Sequence, residues 1–331
     1  MPSSEHDHLF RETFQHPQHA LGLLRSAIPT AIAEHIDWST LALESGSFVD
    51  EVSSKYADLL FSVRIRDSDD PLLVQILTEH QSTPQPLMAL RMAGYVVRAL
   101  ERYATNHGTG RLPAVLPLVV AQCEQPWSAA LDLRELYGLT QGAQEAIGPH
   151  LLDVRYLVDD LVGQTEEQIR QRVLTVDAAV TLLALRSVRF SADFVEAFQR
   201  WADLLKQLEP EGLSPVLVYA LRVGEGSTAA LRDVLRSTVS PEAGELVMTT
   251  AERLIESGRV EGVREGIQEG IREERRHLLV TLLEDKFPSE AIPANLQKRI
   301  AEAPADTLML WFRRALKASS LQDAFAEAEN D

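Results

Sequence analysis

The sequence contains a single cysteine, Cys123, which excludes an internal disulfide and favours a reducing compartment such as the cytoplasm. It also lacks a long apolar run. The longest, Val115–Ala121, is interrupted by Pro117 and falls far short of the roughly 20 apolar residues that span a bilayer. The N-terminus has neither the basic start nor the apolar stretch of a secretory signal. We therefore expect a soluble, cytoplasmic protein with no membrane partner.

Basic residues are in the minority, because 32 Lys and Arg stand against 49 Asp and Glu, for a net charge of -17. This balance argues against a protein coated in DNA-binding basic surface. It does not exclude an enzyme that binds DNA through a local basic groove and a metal ion. With 331 residues, of which 45% are hydrophobic, the chain is long enough for one large domain or two of ordinary size.

Several catalytic signatures are also missing from the sequence. It has no Gly-rich phosphate loop of the Walker type, no Cys-x-x-Cys pair and no Gly-x-Ser-x-Gly elbow. Four histidines cluster near the N-terminus, and they are His6, His8, His16 and His19. Such a cluster can hold a metal, but terminal histidines are more often simply solvated, which is what we expect here.

The spacing of apolar residues predicts a mixed α/β first half and a helical second half. Helical spacing extends to about Asp37, with a break at Pro29. The elements expected next are a strand over 58–66, a strand over 72–81, a helix over 87–105, a strand over 112–122 and a strand within 151–158. The first two strands form a hairpin, and the helix after them makes a parallel βαβ crossover. We predict an α/β core over 1–165 and a helical extension over 166–250.

Glycine recurs at every fourth position in one C-terminal segment, at Gly258, Gly262, Gly266 and Gly270. Each interior glycine costs a helix about 1 kcal/mol relative to alanine, so a helix over 251–275 requires a compensating contact. We expect close packing against another helix, for example the same helix of a second chain, flanked by Val263, Ile267 and Ile271. A flexible Gly-rich linker is the alternative. The remaining residues, 276–331, are expected to form a small helical cap.

Two carboxylates are expected to meet at the open end of the hairpin. If the hairpin is symmetric about its turn, Arg66 faces Pro71 and Asp58 faces Glu79. Like charges directly opposed on a sheet destabilise it by up to about 1 kcal/mol, and a divalent cation with oxygen ligands would neutralise them. Two unrelated surface carboxylates at strand ends are the alternative.

A basic stripe is predicted on the helix that follows the hairpin. Arg91, Tyr95, Arg98 and Arg102 fall at offsets of four, seven and eleven residues, and therefore on one helical face. Between residues 85 and 111 there are four Arg and one Glu, a local net charge of +3. The stripe is either a phosphate-binding surface for DNA or a solvated helix face.

A series of short motifs resembles a known family. The motifs are His6-Asp7-x-Leu9-Phe10-Arg11, Ser47-Phe48-Val49-Asp50-Glu51, Tyr56-Ala57-Asp58-Leu59-Leu60-Phe61, Glu79-His80-Gln81-Ser82-Thr83 with Pro86-Leu87-Met88, Leu112-Pro113, Pro117-Leu118-Val119-Val120 and Glu124-x-Pro126-Trp127. In this order, over roughly residues 6–250, they resemble the Rpn family of recombination-promoting nucleases. That family belongs to the PD-(D/E)XK, or restriction-endonuclease-like, superfamily. The Gly-repeat helix and the cap also resemble tails found on such proteins.

The resemblance implies a nuclease core with a mixed sheet flanked by helices, and an Mg²⁺- or Mn²⁺-dependent DNA endonuclease that promotes recombination or transposition. By position, Asp58 and Glu79 are the metal-binding carboxylates, and the carbonyl of His80 is a further ligand. Gln81 occupies the position of the superfamily lysine. Arg91 is expected to supply the charge that lysine would provide.

Two further sets of residues complete the expected site. Glu44 or Asp50 would complete the metal shell, and Arg91, Arg98 and Arg102 would bind DNA.

Two departures from the family pattern keep a second function open. Glutamine at Gln81 can only hydrogen-bond where lysine would carry charge, although Glu-His-Gln is usual within the Rpn family. The family's Tyr-His-Gly segment is replaced by Ala121-Gln122-Cys123. The alternative is therefore a catalytically weak DNA-binding or assembly protein on a nuclease-like core, whose tail controls oligomerisation.

Overall fold

The computed structural model describes residues 5–44, 59–66, 71–79, 85–108, 110–288 and 292–325, with only the backbone described at 71, 75 and 77–79. The chain divides into two compact units, Met1–Ala251 and Glu252–Asp331. None of the helices in these described ranges has the length and apolarity needed to cross a membrane.

The first unit is built on a five-stranded mixed sheet. Its strands are β1 (Ile36–Leu43), β2 (Leu59–Ile65), β3 (Pro71–Glu79), β4 (Ala114–Ala121) and β5 (Leu157–Asp160), and they lie side by side in chain order. The first three strands form an antiparallel meander, whereas β3, β4 and β5 are parallel. A 20-residue helix between β3 and β4 makes the crossover that parallel pairing requires. The predicted mixed sheet with flanking helices is confirmed.

Helices precede, interrupt and follow the sheet. They are α1 (Glu5–Phe14), α2 (Pro17–Ala27), α3 (Thr30–Ala33), α4 (Met88–His107), α5 (Gln141–Ile147), α6 (Glu166–Arg170), α7 (Val176–Ser187), α8 (Phe194–Arg200), α9 (Ala202–Leu205), α10 (Pro210–Val223), α11 (Thr228–Thr238), α12 (Pro241–Lys286), α13 (Ala294–Glu302), α14 (Ala305–Lys317) and α15 (Leu321–Phe325). Pro17 begins α2, where its fixed φ suits the first turn. Gly108 ends α4 with a φ of +83°, in the left-handed region that favours glycine.

The hairpin register differs from the symmetric one expected from the sequence. Arg64, and not Arg66, pairs with Pro71, and Leu59 pairs with Ile76. The strand pairing is therefore shifted by two residues from the symmetric register. A shift of two preserves which face each side chain occupies, because the side-chain period of a strand is two.

The two faces of β4 pack against different layers. Leu118 and Val120 lie in the main core, whereas Val119 and Ala121 belong to a smaller cluster with α4. Pro117 is tolerated within this inner strand because β5 pairs only from Leu118 onward, so at Pro117 the outer side of β4 is not yet covered by a neighbouring strand.

The helices after residue 165 share the core of the sheet. Phe61 and Val120 of the sheet lie in one buried cluster with Leu182 of α7, with Tyr219 of α10 and with Trp201, which lies between α8 and α9. A sheet with parallel strands must be covered on both faces, and these helices together with α1 and α2 cover the face opposite α4.

The second unit has its own small helical core. Leu279 and Leu283 of α12 pack with Ile300, Leu308 and Trp311 from the following helices. The segment before this core, within α12, is helical throughout, so the linker interpretation of the glycine repeat is wrong.

Candidate functional site

One edge of the sheet gathers the strand ends on which the predicted site lies. The carboxyl ends of β1, β3, β4 and β5 meet there with the amino end of β2. Ala121, the last residue of β4, pairs on one side with Glu79 and on the other with Asp160. Because neighbouring strands lie about 4.8 Å apart, the backbone positions of Glu79 on β3 and Asp160 on β5 lie about 10 Å apart along this edge.

The predicted metal ligands are only partly within the described residues. Asp58, His80 and Gln81 lie outside them, as does Asp50, and Glu79 is described only by its backbone, as the final residue of β3. Within the described part of the chain, no group of three or more His, Cys, Asp or Glu side chains is arranged to hold a metal ion. The assignment of Asp58, Glu79 and His80 as metal ligands therefore stays a prediction.

Glu44 lies at the same edge, directly after β1. Its backbone N–H donates to the carbonyl of Leu60 at 2.8 Å, so it lies beside the beginning of β2. Its side chain is exposed. Asp58 immediately precedes Leu59, the first residue of β2, so a ligand set that includes Glu44 would be drawn from neighbouring strand ends.

Arg91 is half-buried in the first turn of α4. Its Nη1 donates to Oε1 of Gln85 at 3.0 Å, and its guanidinium carbon lies 5.7 Å from the centre of the Tyr95 ring. Tyr95 is itself buried in the cluster that contains Ala121. The first turns of α4 thus lie against the end of β4 that pairs with Glu79.

The other two predicted DNA-binding arginines follow along α4. Arg98 is exposed, and its guanidinium carbon lies 4.7 Å from the centre of the Tyr95 ring, so two guanidinium groups contact one aromatic ring. Arg102 is half-buried. At 1.5 Å per residue, Arg98 and Arg102 lie about 10 and 16 Å beyond Arg91 along the helix axis. The basic stripe therefore leads away from the sheet edge.

A buried polar network reaches the same edge from the opposite face. Tyr219 Oη lies 2.8 Å from His6 Nδ1 and accepts a hydrogen bond from Gln122 Nε2 at 3.0 Å. Gln122 Nε2 also donates to the carbonyl of Leu185. All of the side chains in this network are nearly inaccessible, and burial raises the pKa of Tyr219 well above its ordinary value. Tyr219 therefore stays protonated and joins α10 to α1 and to the end of β4.

This network was not expected from the sequence, and it corrects one expectation. His6 is buried at 7% exposure and is hydrogen-bonded, so the solvated terminal cluster is wrong for that residue. His8 is exposed, and His19 Nδ1 lies 2.7 Å from Thr175 Oγ1. Burial lowers the pKa of His19. No spacing in the sequence links His6 to Tyr219, because the two residues are 213 positions apart.

The two carboxylates that end β5 are engaged in the fold. Asp159 is buried, and both of its oxygens accept hydrogen bonds from Arg172, at 2.7 and 2.6 Å. Asp160 accepts from the backbone N–H of Trp127 at 2.9 Å and of Gly163 at 3.2 Å. These contacts fix the loops that follow β4 and β5, so neither residue resembles a vacant metal ligand.

The comparisons with known proteins identify the family. The profile described as "Putative transposase, YhgA-like" matches residues 4–212. The chain is 28% identical to "Inactive recombination-promoting nuclease-like protein RpnE" of Escherichia coli K12 over 308 residues, which are 91% of this chain and 97% of that protein. It is 28% identical to "Recombination-promoting nuclease RpnA" of the same strain over 264 residues, 77% of this chain and 85% of RpnA.

A third relative is "Recombination-promoting nuclease RpnD" of Escherichia coli O157:H7, which is 32% identical over 204 residues, 55% of this chain and 75% of RpnD. No solved structure gives a significant match. The fold is that of an α/β protein with a mixed five-stranded sheet flanked by helices. The chain belongs to the YhgA-like transposase family, whose relatives include the Rpn recombination-promoting nucleases, and the resemblance drawn from its motifs is confirmed.

Proposed function

We propose that the protein is a divalent-metal-dependent DNA endonuclease of the PD-(D/E)XK type, which hydrolyses phosphodiester bonds and promotes recombination or transposition. The observation that carries the proposal is the backbone pairing of Glu79 with Ala121 at the edge where Glu44 and the first turns of α4 also lie. Three relatives carry the name recombination-promoting nuclease, which supports the same activity here.

The donor set suits a hard cation. Asp58 and Glu79 offer carboxylates and His80 a backbone carbonyl, and oxygen donors of these kinds are the ones that Mg²⁺ and Mn²⁺ prefer. When bound, such an ion lowers the pKa of a water molecule and stabilises the charge of the phosphate in the transition state. Asp58 and Glu79 would hold the ion, and Gln81 would orient the attacking water by hydrogen bonding.

The arginines of α4 would supply positive charge. Arg91, held by Gln85 and Tyr95, would offset the charge that develops on the phosphate, where the superfamily uses lysine. Arg98 and Arg102 would bind successive phosphates along the strand as it leaves the edge. This stripe of three cations would attract DNA locally despite the net charge of -17.

A second function is favoured by one specific observation. RpnE, the relative that aligns with 91% of this chain, is named an inactive nuclease-like protein. The corresponding proposal is a core that binds DNA or assembles without cutting it.

A plasmid-nicking assay separates the two functions. The wild-type protein should convert supercoiled DNA to open-circular or linear DNA with Mg²⁺ and not with EDTA. Asp58→Asn should abolish cleavage, because an amide replaces a charged ligand at nearly constant volume. Asp285→Asn, an exposed residue of the second unit, is the matched control and should cut like wild type.

DNA binding should be measured in parallel by fluorescence anisotropy in Ca²⁺ or EDTA. Binding by the wild type without any Mg²⁺- or Mn²⁺-dependent cleavage would refute the nuclease and support the second function. Cleavage at the wild-type rate by Asp58→Asn would show that Asp58 is not a ligand.

A further inference from the structure

An exposed apolar stripe lies on one side of α12. Every residue from 255 to 271 is exposed. Among them, Val260, Val263, Ile267 and Ile271 are 40–58% exposed, and Leu278 further along is 43% exposed. With 100° per residue, these five side chains fall within an arc of about 80°. The helix therefore presents a continuous apolar face that nothing in the described part of the chain covers.

This stretch of helix is unfavourable as an isolated element in water. Helices in proteins gain most of their stability from packing an amphipathic face, and here seventeen consecutive residues have no buried member. Gly258, Gly262, Gly266 and Gly270 each weaken the helix further relative to alanine. A Cβ added at any of the four glycines would meet no atom within 4 Å, so packing within the described chain does not require them. A partner that covers the stripe would supply the missing stabilisation.

The spacing of the stripe indicates what shape of partner fits. The steps from Val260 to Val263, Ile267 and Ile271 are three, four and four residues, which sum to an 11-residue repeat. That repeat keeps side chains on one face of a nearly straight, slightly right-handed pair of helices. Gly270 borders the arc and would allow a second backbone to approach closely.

The charge of the segment indicates which helix it is. From residue 252 to 278 there are six Arg and seven Glu, a net charge of -1 in a chain of -17. Such a surface offers no net positive charge to the phosphates of a nucleic acid, and a membrane-surface helix would carry an excess of Lys and Arg. Two copies of a nearly neutral segment do not repel each other, and each copy offers the other the same apolar stripe.

We propose that residues 255–278 of α12 form a homodimer interface, in which the stripe of one chain packs against the stripe of a second copy. The contact is isologous, as in most symmetric dimers. At 1.5 Å per residue the interface is about 35 Å long, comparable in length to a two-stranded coiled coil of several turns. The proposal is independent of whether the core cuts DNA.

Sedimentation velocity of the full chain tests the interface. Wild type should sediment as a species of twice the 36.8 kDa chain mass. The double variant Val263→Gln with Ile267→Gln should raise the dimer dissociation constant by about a hundredfold or more, because four apolar side chains per dimer are lost. Glutamine is a better helix former than valine or isoleucine, so the helix itself should persist, which circular dichroism checks.

The matched control changes the opposite side of the same segment. Glu261→Gln with Glu265→Gln alters two exposed residues that lie roughly 120–160° from the centre of the stripe, and it should leave the dimer intact. A wild-type monomer at high micromolar concentration would overturn the proposal, as would a double glutamine variant that stays dimeric. A monomeric wild type whose glutamine variant melts at lower temperature would assign the stripe to a contact within one chain, and would overturn it too.

Discussion

Replacing Tyr219 by phenylalanine removes one hydroxyl from the centre of the buried network. That oxygen lies 2.8 Å from His6 Nδ1 and 3.0 Å from Gln122 Nε2, and Tyr219 is 1% exposed. Water cannot replace the lost partner without opening the core, so two buried polar groups lose a hydrogen bond. Leaving a buried group unsatisfied costs about 1–3 kcal/mol, and we expect the free energy of unfolding of the first unit to fall by about 2–3 kcal/mol.

Urea unfolding followed by tryptophan fluorescence measures this loss. Of the four tryptophans, only Trp311 belongs to the second unit, so a Trp311→Phe background confines the signal to the first unit. Tyr103→Phe is the control, because the Tyr103 ring is half-buried and stacks on His107 at 4.1 Å. It should cost less than about 0.5 kcal/mol. A Tyr219→Phe variant as stable as this control would refute the network as a stabilising contact.

Three further predictions follow from other contacts. Arg172→Met should lower the free energy of unfolding in urea by about 3–5 kcal/mol, because it leaves the buried carboxylate of Asp159 without its guanidinium partner. An unchanged unfolding midpoint would contradict that. Burial raises the pKa of Tyr156 to about 12. The contribution of Tyr156 to the free energy of unfolding should therefore be constant below the unfolded pKa of about 10 and fall as the pH rises towards 12. Tyr156→Phe should lessen that fall in urea unfolding measured at several pH values. Arg91→Ala should slow Mg²⁺-dependent cleavage by about tenfold or more, and full activity at limiting DNA would exclude a role for its charge.

The elements of the first half were predictable where periodicity was strong. Alternation over β2 and the apolar run of β4 identify strands. A helix as long as α4 between two strands favours their parallel pairing through a crossover. The beginning of β1 was missed, because helical spacing was expected as far as about Asp37, whereas the strand begins at Ile36. This edge strand is only partly buried, and its register shifts between Asp37 and Ala42, so its alternation is weak.

Long-range contacts could not be read from spacing. The hairpin register depends on the length of its turn, and a symmetric turn gave Arg66 opposite Pro71 where the structure has Arg64. The contact of Tyr219 with His6 depends on how α10 folds back over the sheet, which local patterns do not encode. The exposed arc of α12 was visible as a repeat, and the structure adds that the described chain leaves it uncovered.

The two departures from the family pattern, at Gln81 and at Gln122, are expected to have different effects when they are reversed. Gln122 replaces the histidine of the family segment, but its amide is used within the fold, where Nε2 donates to Leu185 and Tyr219. Gln81 lies outside the described residues and takes the place of a charged lysine at the proposed site. We therefore expect Gln81→Lys to raise the cleavage rate or to rescue Arg91→Ala, because it adds the missing positive charge.

Gln122→His should instead lower stability without raising the rate, because an imidazole cannot reproduce both donations of the Gln122 amide group. Parallel nicking assays and urea unfolding of the two variants separate the effects. A faster Gln122→His enzyme would mean that the end of β4 takes part in the chemistry. A Gln81→Lys enzyme with no gain, alone or with Arg91→Ala, would mean that charge at that position does not limit the reaction.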